Sequence, residues 1–156
     1  MKYYPLLIAL LVASCAVEPV SDEPQEPDLT TPTPDPPLVT EQGAIPCENG
    51  MAGAYPCSGY DLLSNISIQS FGSEAGNDNW GWTDPETGKE YVLAGLDDGT
   101  VFVDISDPEN PVILGKLPTA SESSWWRDIK VYKDHAFIVS EAQNHGLQVF
   151  DLTRLR

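Results

Sequence analysis

Apolar and polar positions alternate most clearly between Glu90 and Pro111, E-Y-V-L-A-G-L-D-D-G-T-V-F-V-D-I-S-D-P-E-N-P. The stretch reads as strand, tight turn, strand, tight turn. A second copy follows about 47 residues later, a spacing typical of stacked β-units. Gly146 answers Gly99, Asp151 answers Asp104, and L-Q-V-F-D-L-T matches T-V-F-V-D-I-S. Within Thr100 to Ser106, Val101, Val103 and Ile105 face one way, while Thr100, Phe102 and Asp104 face the other. Both faces therefore carry apolar bulk, the pattern of a sheet packed between two neighbours.

The same pattern predicts the elements on either side. Asp61 to Ser70 alternates at Ile66 and Ile68 and reads as a lead-in strand; Phe71 to Asn79 reads as a Gly, Ser and Asn loop. Trp80-Gly81-Trp82 begins a first unit, followed by turn residues 83–89, a strand over Tyr91 to Ala94 and a hairpin at Leu96-Asp97-Asp98-Gly99. Thr100 to Ser106 is the third strand and Val112 to Leu117 the fourth. Trp125 to Tyr132 opens a second unit, in which Ile129 and Val131 alternate against Lys130 and Tyr132. Lys133-Asp134 turns into a strand over His135 to Ser140, and Leu147 to Leu152 is the third strand. Four short antiparallel strands in about 40 residues have the size of one propeller blade. The sequence thus predicts an all-β protein of β-propeller-like four-stranded repeats, with one complete blade over 80–118 and a partial one over 119–156. It reads as the N-terminal fragment of a longer array.

Ahead of these units the composition changes. From Val17 to Pro46 there are seven acidic residues, eight prolines and no basic residue. So little apolar surface does not offset the entropy of ordering, and the segment reads as a disordered, semi-extended linker. Before it, Leu6 to Ala13 is an unbroken apolar run. A membrane-spanning helix needs about 20 such residues, so the run fits the core of a signal peptide over 1–14. Its end, Val12-Ala13-Ser14-Cys15, is similar to the lipobox of bacterial lipoproteins. That resemblance implies a diacylglyceryl thioether on Cys15 and a chain exported and anchored to a bacterial membrane, at the outer membrane or cell surface. The alternative is an ordinary secretory signal with an incidental cysteine.

With Cys15 assigned to lipid, Cys47 and Cys57 remain as an even pair in an exported chain, which predicts a disulfide. Zinc would need four ligands, and neither His135 nor His145 lies near in sequence. The segment over 47–79 therefore reads as a cysteine loop leading into the units. C-E-N-G-M-A-G-A-Y-P-C-S-G-Y-D-L-L-S, N-D-N-W-G-W-T-D-P-E-T-G-K-E-Y, W-R-D-I-K-V-Y and Q-V-F-D-L-T-R-L, in that order, resemble the choice-of-anchor B family of exported bacterial proteins with LVIVD-type repeats. The likeness spans Cys47 to Arg156. It implies a propeller-like, surface-exposed protein in which Cys15 is the anchor, and it transfers no catalytic residues.

Charge narrows the partners. Twenty-four acidic against eight basic residues leave a net charge of −16. Such a surface repels phosphate backbones and anionic headgroups, so nucleic acid is not an expected partner and membrane contact runs through the lipid. Candidate chemistry is sparse. Trp80, Trp82, Trp125 and Trp126 would either stack on a sugar ligand or pack between blades. Asn77, Asp78, Asn79, Asp97 and Asp98 offer oxygens to calcium, but lack the alternation of an EF-hand loop and more simply make turns. Asp104 and Asp151 are expected to bond the backbone of the following turn, and Arg127-Asp128 to form a strand ion pair or hairpin contact. Ser140, Glu141 and His145 lack a nucleophile elbow and a group to orient the histidine. No cofactor motif stands out. The sequence favours a binding or scaffold module for a surface protein or glycan. The alternatives are part of a propeller enzyme, a hydrolase or lyase whose axial site needs residues beyond 156, and a purely structural surface component.

Overall fold

The computed structural model describes residues 43–156, so the signal peptide, Cys15 and nearly all of the linker lie outside the described residues. The described chain is antiparallel β-structure with two 3₁₀ turns and no α-helix. A two-residue hairpin, β1 (Met51–Ala52) and β2 (Tyr55–Pro56), is closed by a disulfide between Cys47 and Cys57. Four strands follow in sequence order as one sheet: β3 (Gly76–Thr83), β4 (Glu90–Leu96), β5 (Gly99–Asp104) and β6 (Val112–Pro118). A three-stranded sheet contains β7 (Arg127–Tyr132), β8 (His135–Ser140) and β9 (Leu147–Asp151).

Local chemistry accounts for the turns. Leu96 pairs with Gly99 across Asp97-Asp98, and a Cβ on Gly99 would run into the carbonyl oxygen of Leu117. Tyr132 pairs with His135 across Lys133-Asp134, where Lys133 takes the left-handed conformation at φ 52°. The Asp104 carboxylate accepts from the Ser106 amide at 3.0 Å, and Asp151 accepts from Thr153 at the same distance. Each is a short side-chain-to-backbone bond that ends a strand.

Several elements differ from the sequence reading. Ile45, placed in the linker, forms an antiparallel bridge with Leu62, with N···O distances of 2.7 and 3.0 Å. The lead-in strand expected over Asp61 to Ser70 is absent; a 3₁₀ turn forms at Ile68–Phe71, where the Ser67 hydroxyl accepts from the Ser70 amide. Ser67 competes locally with strand pairing, and the apolar alternation at Ile66 and Ile68 serves packing instead. The loop expected up to Asn79 is half strand, since β3 begins at Gly76 with a register shift before Asn79. Pairing with β4 overrides the weak β-propensity of Gly and Asn. The polar side chains in β3 bond the second sheet and the segment leading into it: Asp78 accepts from the Ile129 amide at 2.8 Å, and Asn77 Nδ2 donates to the Trp125 carbonyl. β7 in turn starts at Arg127, leaving Trp125 and Trp126 outside the sheet.

The two sheets pack with a defined direction. The front face of the first sheet presents Trp82, Tyr91, Leu93 and Phe102. These side chains pack on Ile129, Ala136, Ile138 and Leu152 from the back face of the second sheet and the turn after it. The back face of the first sheet presents Leu96, Val101 and Val103, covered by Ile66, Ile68 and Phe71. Phe102 and Phe150 stack with centroids 4.4 Å apart, bridging the sheets. Each fully buried side chain of this size contributes about 1.5–3 kcal/mol, so this interface is the principal core.

Strand register aligns the two sheets residue by residue. The rank Trp82–Tyr91–Asp104 corresponds to Tyr132–His135–Asp151, and Trp80–Leu93–Phe102 to Lys130–Phe137–Val149. Front face thus corresponds to front face. The centre of the first sheet's front face is buried, with Trp80 and Val112 exposed on its edge strands, whereas that of the second holds exposed Tyr132, Val139, Leu147 and Val149.

Candidate functional site

The four tryptophans divide by environment. Trp82 is buried and stacks on Tyr91 at 5.2 Å, so it belongs to the core. Trp80 lies in β3, with the Lys130 ammonium 4.6 Å from its ring centroid. Trp125 and Trp126 stand 59 % and 62 % exposed, side by side ahead of β7. The Ser124 hydroxyl fixes that approach by accepting from the Trp126 amide at 3.2 Å.

A partly open cleft of about 150 Å³ lies beside Trp126, lined by Asn77, Arg127, Asp128, Val139, Ser140 and Glu141. It forms where β3, the start of β7 and the end of β8 converge, and the Glu141 amide donates to the Trp126 carbonyl to hold the rim. Such a mouth combines an exposed indole face with carboxylates, an amide and a hydroxyl. That combination suits a ligand with one apolar face and several hydroxyls.

Arg127 forms the floor and is 2 % exposed. Its Nε donates to the Leu96 carbonyl at 2.9 Å, Nη1 to His145 Nε2 at 3.0 Å and Nη2 to Thr119 Oγ1 at 3.0 Å. A guanidinium only donates, so His145 Nε2 is the acceptor and Nδ1 carries the hydrogen, donating to the Gly146 carbonyl at 3.0 Å. Burial lowers the pKa of Arg127, and the carboxylates of Asp98 and Asp97 oppose that shift. The expected Arg127–Asp128 ion pair is absent, because adjacent strand residues point to opposite faces. The signal for this role was present in the sequence, since Arg127 is in phase with the inward Ile129 and Val131.

The arrangement also corrects the view of His145 as unoriented: both ring nitrogens are engaged, and Ser140 Oγ accepts from the Ala142 amide. Of the oxygens considered for calcium, those of Asp78, Asp97 and Asp98 are engaged by the fold. Asp97 accepts from the amides of Glu74 and Ala75 at 3.2 Å each, and Asp98 accepts from Ser73 and Lys116. Burial raises the Asp98 pKa, but the bonds from Lys116 and Ser73 outweigh it and hold the group below its ordinary value. Among the described residues no group of three or more His, Cys, Asp or Glu side chains is placed to hold a metal ion.

Comparisons with family models, curated proteins and solved structures find no match to the chain.

Proposed function

We propose that the chain is an exported, lipid-anchored surface module built of propeller-like stacked sheets, which binds a glycan through Trp126 and the cleft beside it. The observation that carries the binding role is the exposed Trp126, next in sequence to exposed Trp125, in the lining of a cleft that includes Asn77, Asp128, Ser140 and Glu141. An indole face stacks on the apolar side of a sugar ring while the rim groups meet its hydroxyls. Binding is favoured over turnover because both ring nitrogens of His145 are spent on the fold, which leaves Ser140 without a base.

The propeller-like reading is supported by the front-to-back packing of the two sheets. It is also supported by their first strands lying side by side, linked by the Asp78–Ile129 and Asn77–Trp125 bonds. The lipobox at Cys15, the resemblance to the choice-of-anchor B family and the Cys47–Cys57 disulfide support an extracytoplasmic address.

The test is binding of the chain to a panel of bacterial surface polysaccharides, with Trp126→Ala alongside. Stacking is worth about 0.5–1.5 kcal/mol beyond area, so roughly tenfold weaker binding of the variant is expected. Equal binding by both proteins, or binding to proteins alone, would refute the glycan reading. Labelling with palmitate in wild type and Cys15→Ala tests the anchor; label retained in the variant would refute it.

A further inference from the structure

The front face of the second sheet has the features of an interface without its partner. Val139, Leu147 and Val149 are 42, 58 and 54 % exposed, with the half-buried Phe137 among them. Their register counterparts in the first sheet are Gly95, Thr100, Phe102 and Leu93, the face packed on the second sheet. One edge is open as well. β5 pairs along its far side with β6, whereas among the described residues β9 pairs only with β8. We propose that this face and the β9 edge dock a further antiparallel sheet unit of the same repeat, which adds a strand to β9 and lays an apolar back face on Phe137, Val139, Leu147 and Val149. The proposal rests on the stacked-sheet reading above.

The interface already formed between the sheets defines the chemistry of this partner. A back face supplies inward aliphatic and aromatic side chains, as Ile129, Ala136, Ile138 and Phe150 do here. One position must differ. A Cβ on Gly95 would lie 3.1 Å from the Asp78 carbonyl oxygen and already touch Ile129 Cδ1 at 3.4 Å and Arg127 Cδ at 3.6 Å, so a side chain larger than a methyl there would have to displace Arg127. The second sheet has Val139 at that register, and a fitting partner therefore carries a small residue where β7 has Arg127. A second copy of this chain is not the occupant, because it has no free back face. Its first is covered by Ile66, Ile68 and Phe71, with Lys116 Nζ donating to the Phe71 carbonyl and the Ser73 hydroxyl, and its second is packed on its own first sheet. Residues 66–71 thus act as an end cap, as terminal segments do in stacked-repeat proteins.

The test extends the full chain by a second copy of residues 110–156 appended after Arg156, which keeps the repeat spacing, with Val139→Gly in the original unit so that the copy's Arg127 meets a glycine as it does at Gly95. Amide exchange along Leu147–Asp151 is then compared with the unextended chain. Docking is expected to slow these amides at least about tenfold. Val149→Asp in the original unit should restore the faster rate while β4 and β5 exchange as before. An extended chain whose β9 amides exchange no slower overturns the proposal. So does an unextended chain that dimerises through this face, seen as a disulfide between Val149→Cys side chains of two copies. Val139 also lines the cleft beside Trp126, so a docked unit should narrow that cleft and weaken polysaccharide binding, which is therefore measured on the unextended chain. Failure to dock leaves that binding intact, so the two ideas fail separately.

Discussion

Arg127 and His145 meet inside the protein, Nη1 to Nε2 at 3.0 Å, in a bond that joins the first residue of β7 to the loop before β9. The same guanidinium reaches the Leu96 carbonyl and the Thr119 hydroxyl, so one side chain fastens the first sheet, the connector and the second sheet. Its bonding partners are all neutral. Removal would leave a buried carbonyl, hydroxyl and imidazole short of a donor. Arg127→Ala is expected to lower unfolding free energy by about 3 kcal/mol or more, from hydrogen bonds by a charged donor at roughly 1.5–3 kcal/mol each. Asp128→Ala, on the outward face, should stay within about 0.5 kcal/mol. Denaturant unfolding of the two variants checks this; equal losses would restore the ion-pair view.

The core between the sheets should respond most strongly at Leu93, which is fully buried among Trp82, Tyr91, Phe102 and Ile138. Leu93→Ala should cost about 2–5 kcal/mol, covering lost transfer energy and the cavity left behind. Val149→Ala, half exposed on the front face of the second sheet, should cost under about 1 kcal/mol. Thermal unfolding monitored through tryptophan fluorescence distinguishes them.

Acid should loosen the strand ends first. Hydrogen bonds from Ser106, then Lys89, hold the Asp104 carboxyl at about 2, below its ordinary 3.8. Hydrogen bonds from Arg156 lower the buried Asp84 carboxyl in the same direction, helped by Thr87 and the Glu86 amide. For a depressed carboxyl the folded state binds fewer protons than the unfolded state. The stabilisation is therefore complete above the unfolded value near 3.8 and is lost as pH falls toward about 2. Stability measured from pH 6 down to pH 2 should drop in that window, and Asp104→Asn should flatten the drop.

Reduction should act locally. The disulfide closes the loop around β1 and β2, which joins the remaining described chain through the Ile45–Leu62 bridge and the Cys47 amide bond to Asp61. Cys57→Ser should free this hairpin to exchange rapidly, at a cost of up to about 3 kcal/mol on the chain-entropy account. Amides of β4 and β5 should retain their protection ranking. Loss of protection throughout both sheets would show that the hairpin is part of the core.

Much of the fold was legible in the sequence because its determinants are short-range. Alternation marks β4, β5, β7 and β8, tight-turn residues mark the hairpins, and Asp104 and Asp151 bond an amide two residues on. The two apolar faces of β5 correctly announced two neighbours. Sequence alone did not identify what covers the back face, since Ile66 and Ile68 look like a strand whether they pair or pack. It also gave no strand at Gly76–Asn79, where polar residues join a sheet because Asn77 and Asp78 bond a segment about 50 residues away.

The candidate site shows the same division. Composition marked four tryptophans, but only packing separated buried Trp82 from exposed Trp125 and Trp126, because exposure depends on what the rest of the chain brings alongside. Arg127 looked like half of an ion pair with its neighbour, yet strand geometry sends the two side chains apart and gives the guanidinium partners from both sheets. The sequence by itself determined β4 to β9 in outline, their turns, the cysteine pair and the repeat, all written in neighbouring residues. Tertiary structure decided which face is capped, which is open and which polar groups are spent, because each depends on contacts between segments distant in the chain.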